Sequence, residues 1–511
     1  MKKTYYITTP IFYASAKPQL GNAYSAVLAD AIARYKKLQG YEVMFQTGMD
    51  EHGQKVQLTA EKAGKNPQDF VDEISLEVKR VLESVNVDYT SFARTTNPKH
   101  KEVVQKIFKK LYDKGDIYKG KYEGLYCTPC ESFFTESQLI DGKCPDCGRE
   151  VQKAKEEAYF LNLKKYEGWL KKYIEDNKNY IVPEGRRNEM LKFIEQGLDD
   201  LCVSRTSFDW GIKVPFDEKH VIYVWLDALT NYITFQGYMT DEEKFNKFWP
   251  ADLHIVGKDI LRFHTIYWPI MLKALDLPIT KQVLAHPFLV DSKGGKMSKS
   301  KGNILYADEL TKDFGVDAIR YYLLSELGIV HDGNVGVELI IDKYNSDLAN
   351  TLGNLVNRTI SMSRKYFDGK VYKPTKFEEV DQEIIEMAKN LGNKVEEKMN
   401  ELKISEALEQ IFNLYKRCNK YIDETEPWIL SKDPIKEERL KTVLYNLLES
   451  IRIGAVYLQA FLPETADKIF KQLNTENKSF TSTNNFEGMD PGIILNKPEI
   501  IFARIDKEEY L

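Results

Sequence analysis

Several features are scarce in this sequence of 511 residues, and each scarcity excludes something. No stretch approaches 18 consecutive apolar residues, so no helix is expected to cross a bilayer. After Met1-Lys2-Lys3 the chain carries threonines and Pro10 between Thr4 and Tyr13 where a secretory signal needs an apolar core, which excludes a signal peptide. Six cysteines in so long a chain do not make a disulfide scaffold. Positive charge is not in excess either: 72 Lys and Arg against 77 Asp and Glu leave a formal net charge of -5, so any nucleic-acid contact must use local patches. Internal repeats are absent. The expected compartment is the cytoplasm.

What is present suits a large soluble protein. Hydrophobic residues at 43% and charged residues at 29% support several packed cores, roughly three or four domains for this length. Tyr5 to Thr9 is β-prone and Pro10 ends it. Leu20, Tyr24, Val27, Leu28, Ala31, Tyr35 and Leu38 then recur at helical spacing, with Lys36 and Lys37 near the end and Gly40 as the stop. Val43 to Thr47 resumes as a strand. This β-α-β unit opens its helix beside Gly21, where unpaired N–H groups and the helix dipole can receive phosphate. Asp50 follows the second strand, at the edge where ligands of such sheets bind.

Cys127-Thr-Pro-Cys130 and Cys144-Pro-Asp-Cys147 are separated by thirteen residues. Two such turns bring four thiolates to one tetrahedral Zn2+ with no open position, so one structural zinc per chain is expected. Cys202 and Cys418 have no partners at ligand spacing and read as core residues. Val221 to Leu226 is a continuous apolar run of strand type, expected to be a buried parallel strand with Tyr232 about one helical turn beyond it. Ile255-Val-Gly-Lys-Asp-Ile260 is a strand-to-turn junction at which Gly257 leaves room for a nucleotide. The stretch Asp291-Ser-Lys-Gly-Gly-Lys-Met-Ser-Lys-Ser300 is basic and glycine-bearing, suited to follow charge on a phosphate chain. From Asp347 onward glycine thins out and helical periodicity dominates, with Leu348, Leu352, Leu355, Thr359 and Met362 on one face. Ile500 to Arg504 reads as strand-like.

Lys296-Met-Ser-Lys-Ser300 is the ATP-activating string of class I aminoacyl-tRNA synthetases, which this chain resembles. Thr8 to Tyr13, Lys17-Pro18 and Gly48-Met-Asp-Glu-His-Gly-Gln-Lys55 are similar to the methionyl-tRNA synthetase family, and strings of that kind recur along nearly the whole chain. The resemblance implies methionine contacts at Ile11, Tyr13, Trp225, Ala228, Tyr232 and His264, with Asp50 holding the ammonium. It implies ATP contacts at Arg205, Gly257, Asp259 and Lys299, and anticodon contacts at Asn354, Arg358 and Trp428. Where the family carries His-x-Gly-His, this chain has Gln19-Leu20-Gly21-Asn22. Gly21 is kept, while Gln19 and Asn22 donate only neutral hydrogen bonds. A neutral bond contributes about 0.5–1.5 kcal/mol against about 1.5–3 for a charged one, a difference on the order of tenfold in rate per site.

The expected architecture is α/β: a Rossmann-type parallel-sheet catalytic domain in two halves (residues 1–115 and 219–277), interrupted by a zinc-knuckle connective insertion (116–218). A lysine-loop and stem-contact region (278–345) and an α-helical anticodon-binding bundle (346–511) follow. The implied reaction is ATP-dependent activation of L-methionine and its transfer to tRNA(Met), with Gln19, Gly21, Asn22, Lys296 and Lys299 serving the phosphates and Mg2+ accompanying ATP. The dimerising domain appended in some relatives is not expected, so a monomer is. A synthetase for leucine, isoleucine or valine would need an editing insertion for which this chain has no room. The other alternative is a paralogue that binds tRNA or methionine without activating it, motivated by Gln19 and Asn22.

Overall fold

The β-branched and aromatic residues from Thr4 to Thr8 form the central strand of a sheet, paired in parallel on one side with Glu42–Asp50 and on the other with Leu253–Gly257. The structure, a computed structural model, describes residues 2–510 other than 129–131, 135, 146, 292–293 and 296–302. Its contacts divide the chain into two units, residues 1–29, 42–83 and 87–288 in one and 30–41, 84–86 and 289–511 in the other. Among the described residues no helix is long and apolar enough to cross a membrane.

In the first unit the seven-stranded sheet runs Phe12–Tyr13, Glu42–Asp50, Thr4–Thr8, Leu253–Gly257, Val283–His286, Ile181–Val182, with Ser91–Arg94 on the far side of Glu42–Asp50. Every pairing is parallel. The strand order reverses beside Thr4–Thr8, which opens a crevice at the carboxyl ends of the strands, where such sheets bind ligands. The helix Leu20–Leu38 follows the central strand with the bounds its periodicity predicts, and small residues (Ala23, Ala26, Ala29) let it pack closely. Gly48 is required by the next pairing: a Cβ there would lie 2.1 Å from the Ala93 carbonyl oxygen.

A second sheet, antiparallel in the order Ser132–Phe134, Ile117–Cys127, Gln152–Leu161, Leu201–Cys202, forms the insertion that carries the cysteines. The run Val221–Leu226 is not one buried parallel strand. Asp217–Ile222 pairs antiparallel with Ser204–Arg205 and Lys213–Val214, and a helix begins at Val224 and extends to Thr234. All eleven residues of that helix are buried, Asp227, Thr230, Asn231 and Thr234 along with the apolar ones, so its sequence carries no apolar stripe of helical period to read.

The second unit is helical from Val337 on, chiefly Asn354–Phe367, Glu379–Asn400, Ile404–Thr425, Glu437–Leu458 and Pro463–Leu473. Leu348, Leu352, Leu355 and Thr359 are buried as predicted, and Met362 is half-buried. Polar groups pin this core at a few points. Asp381 accepts hydrogen bonds from Arg439 Nη1 at 2.6 Å and Nη2 at 2.9 Å and from the Tyr421 hydroxyl at 2.5 Å. Arg320, fully buried on the helix Val316–Glu326, meets Asp30 at 2.7 Å and donates to the carbonyls of Phe461 (2.8 Å) and Val85 (3.0 Å). Ile500–Arg504 forms no strand. The backbone just beyond it is held by a side chain, Asn345, which bonds both the N–H and the carbonyl of Ile505 at 2.9 Å.

Candidate functional site

Asp50 is the last residue of its strand and is 3% exposed. Around it the first unit gathers Ile11 and Tyr13 from the loop and short strand after Thr8, Trp225, Ala228 and Tyr232 from the helix Val224–Thr234, and His264 from the segment Phe263–Tyr267. These seven residues line one small cavity of about 30 Å3, together with Pro10, Leu229 and Ile260, which the sequence did not single out. On that measure the cavity holds about two waters.

The hydrogen bonds fix the tautomers of this wall. His264 Nδ1 lies 3.0 Å from the Ile260 carbonyl, which can only accept, so Nδ1 carries the proton and Nε2 accepts from the Tyr232 hydroxyl at 2.8 Å. Burial lowers the His264 pKa to about 4, so the ring is neutral at pH 7. Burial raises the Tyr232 phenol, with the nearby Asp50 carboxylate adding to the shift. Beneath Tyr232 lies His254, its ring 4.3 Å away. His254 Nε2 accepts from Trp268 Nε1 (3.2 Å), so its Nδ1 donates to Thr8 Oγ1 (2.7 Å). Trp225 stacks on Phe263 at 3.7 Å and meets Tyr13 edge-on at 6.2 Å. The result is an aromatic cavity whose imidazole and phenol are satisfied by each other, with one carboxylate at its rim.

A second group collects at the carboxyl ends of the neighbouring strands. Gly257 ends its strand, and a Cβ there would lie 2.5 Å from Asp259 Oδ1, so glycine lets that carboxylate fold back over the strand end. His286 closes the next strand. Its Nδ1 donates to the Pro287 carbonyl (2.9 Å), its Nε2 accepts from Ser25 Oγ (2.6 Å), and burial lowers its pKa to about 4. Sequence reasoning missed His286, whose signal was its position at the end of an apolar strand. At the helix start the Asn22 side-chain oxygen accepts from the Gln19 N–H at 3.0 Å, which turns the exposed Asn22 amide donors outward. Gly21 is half-buried. Arg205 is buried elsewhere in this unit: its guanidinium stacks 4.0 Å from the Tyr126 ring and donates to Ser207 Oγ (2.9 Å), and it does not line the aromatic cavity.

Lys296 and Lys299 lie outside the described residues. The start of their loop is visible and ordered by Asp291, whose carboxylate accepts from the Gly295 N–H (2.7 Å) and from Asn303 Nδ2 (2.9 Å), so one side chain ties together both ends of the lysine segment. In the helical unit Asn354 is exposed at the start of its helix, and Arg358 lies 3.7 Å from Asp423. Asp423 lies in the last turn of the helix Ile404–Thr425, which leads, through Glu426 in the left-handed region, to Trp428, which is 37% exposed. Arg358 is thereby brought to the segment that carries Trp428.

The sulfurs of Cys127, Cys144 and Cys147 all lie within 4.8 Å of one another, with Cys127 and Cys147 at 3.6 Å. Two ligands on a tetrahedral zinc at a Zn–S distance of about 2.3 Å sit about 3.8 Å apart, so three of the four thiols already fit the ion. Cys130 lies outside the described residues. Gly148, at φ 71°, turns the second knuckle so that its N–H bonds the Cys144 carbonyl at 2.8 Å. Cys202 and Cys418 are buried core residues as expected. Metal analysis of the purified chain should return one zinc, and Cys144→Ser should lower both the zinc content and the melting temperature; a metal-free, equally stable chain would count against the site.

A parallel sheet with its crevice at the strand reversal, a cysteine-bearing insertion and a helical C-terminal unit define a class I aminoacyl-tRNA synthetase. The family described as tRNA synthetases class I (M) matches residues 5–157 and 151–360, and the anticodon binding domain of methionyl tRNA ligase matches 371–510. The methionine–tRNA ligase of Clostridium acetobutylicum is 58% identical over 510 residues, covering 99% of this chain and 79% of that protein. That of Bacillus subtilis is 48% identical, covering 99% and 78%. The structure of Mycobacterium tuberculosis methionyl-tRNA synthetase in complex with methionyl-adenylate superposes with a TM-score of 0.95 at 41% identity, over 98% of this chain and 100% of that one. The chain belongs to the methionyl-tRNA synthetase family.

Proposed function

We propose that this chain is a methionine–tRNA ligase that condenses L-methionine with ATP to methionyl-adenylate and pyrophosphate and passes the methionyl group to tRNA(Met). The observation that carries this reading is the grouping of Asp50 with Ile11, Tyr13, Trp225, Ala228, Tyr232 and His264 around one cavity. An ammonium at Asp50 leaves the side chain to enter the aromatic wall, and an unbranched, polarizable thioether suits aromatic neighbours. Because Tyr232 already donates to His264, that phenol and imidazole offer no spare donor to an entering side chain.

With the amine held, the methionine carboxylate attacks the α-phosphate and pyrophosphate leaves; no covalent enzyme intermediate is needed, and catalysis is positioning plus electrostatics. Gly21 permits close approach of the nucleotide, Gln19 and Asn22 donate amide hydrogens, Gly257 and Asp259 take the ribose side, Arg205 borders the nucleotide, and Lys296 and Lys299 follow the leaving phosphates. Mg2+ bound to the ATP phosphates would supply charge neutralisation, and a zinc on Cys127, Cys130, Cys144 and Cys147 would hold the insertion's knuckles together. The labour divides along residues 1–115 and 219–277 for chemistry, 116–218 for the insertion, 278–345 for the lysine loop and 346–511 for tRNA. There Asn354 and Arg358 offer donors to anticodon bases, and Trp428 offers a stacking face worth roughly 1–3 kcal/mol. The reaction takes place in the cytoplasm.

ATP–pyrophosphate exchange tests this directly. Exchange should depend on methionine and be absent with leucine, isoleucine or valine; no exchange from folded, zinc-loaded protein would identify a non-activating paralogue instead.

A further inference from the structure

Asp50 and the aromatic wall of the cavity come from distant parts of the chain, one ending the strand Glu42–Asp50 and the other riding on the helix Val224–Thr234. Something must hold that helix in place against that strand end. Asp227, on the same helix as Trp225, Ala228 and Tyr232 and 1% exposed, takes hydrogen bonds from two imidazoles. His52 Nδ1 donates to its Oδ2 and His100 Nε2 to its Oδ1, both at 2.7 Å. His52 lies two residues beyond Asp50. His100, in the first turn of the helix Pro98–Asp113, also reaches Thr234 Oγ1 through Nδ1 at 2.7 Å, so the cavity helix is gripped near both of its ends.

The strand side of this grip is itself immobilised. The Glu51 N–H donates to Thr95 Oγ1 (3.0 Å), its carbonyl accepts from Trp210 Nε1 (2.6 Å), and its carboxylate accepts from Arg94 Nε (2.6 Å). Trp210 stands 5.5 Å from the His52 ring, and its carbonyl accepts the Gly53 N–H at 3.1 Å. Burial alone would raise the Asp227 carboxyl, yet the imidazoles, His52 foremost, hold it below the ordinary carboxylate range. An ionised acceptor with two donors fixes both direction and distance, which a purely apolar contact does not.

We propose that His52, Asp227 and His100 form a positioning clamp that sets the spacing between the ammonium-binding carboxylate of Asp50 and the side-chain wall of Trp225 and Tyr232, and so determines affinity for the amino acid. This rests on the cavity being the methionine site. Asp227→Asn keeps the shape but removes the charge and offers one acceptor and one donor to two donors, so one imidazole must change tautomer or let go, and the charge-assisted grip is lost. The methionine KM in pyrophosphate exchange should rise on the order of tenfold, with the ATP KM within about twofold of wild type. His52→Asn and His100→Gln each retain an N–H donor at the position lost in His52→Ala and His100→Ala, and should restore the methionine KM to near wild type.

A melting temperature that falls while the methionine KM stays put, or both KM values rising together, would overturn the clamp. If Asp227→Asn does not fold, equal methionine KM values for His100→Gln and His100→Ala overturn it equally well. Absence of methionine-dependent exchange in the unmutated chain would instead refute the methionine site itself, which keeps the two failures apart.

Discussion

Asp50→Asn is expected to cut kcat/KM for methionine by roughly 10²- to 10³-fold in pyrophosphate exchange while leaving the fold intact. The side chain is 3% exposed at the end of a strand paired on both sides, and the substitution is nearly isosteric, so neither packing nor backbone geometry changes. What is removed is a charge facing a cavity otherwise lined by aromatic and aliphatic groups. Truncating one member of a buried, hydrogen-bonded charge pair costs about 2–5 kcal/mol, and here the other member is the substrate's own ammonium. The loss should therefore appear with every amino acid tested, and the melting temperature should change little, because the substitution is nearly isosteric. An activity loss matched by a fall in melting temperature would make Asp50 structural. Full activity would remove it from the site.

Arg320→Ala is the change expected to affect stability most. Its guanidinium is fully buried, pairs with Asp30 and donates to the carbonyls of Phe461 and Val85. Asp30, also fully buried, keeps Arg34 at 2.7 Å but loses its second cation, and the carbonyls lose donors that no water can replace. Breaking such a buried pair from one side costs about 3–5 kcal/mol. Thermal or urea unfolding should show the lowered midpoint. Asp30→Asn combined with Arg320→Met should recover part of it, because the buried carboxylate left with one cation in place of two is then removed. A midpoint unchanged in Arg320→Ala would mean that the pair contributes nothing net.

The parts of the site most legible in the sequence are those whose chemistry dictates local spacing. Two C-x-x-C turns must converge if they bind one ion, and the structure brings Cys127, Cys144 and Cys147 together. The helix Leu20–Leu38 showed its period because its ends are polar and its partner surface is broad. Where both criteria fail, reading fails. Val221–Leu226 is apolar whether it is strand or helix, and only the pairing of Val221 and Ile222 with Arg205 and Ser204 shows where the strand stops. Ile500–Arg504 has strand composition and joins no sheet, because backbone pairing needs a neighbouring edge that composition cannot promise.

The sequence by itself determined the family and its local parts: the helix beginning at Leu20, two C-x-x-C turns, a cationic loop and a helical C-terminal unit, each set by residues within a few positions of one another. Only the tertiary structure decided which carboxylate faces the aromatic cavity, which nitrogen of His264 carries its proton, and that Asp227 stands between His52 and His100. The Asp227 contacts join side chains more than a hundred residues apart within 3 Å, and the His264 tautomer depends on a hydroxyl 32 residues away, in a core that excludes water; no local pattern encodes distances of that kind.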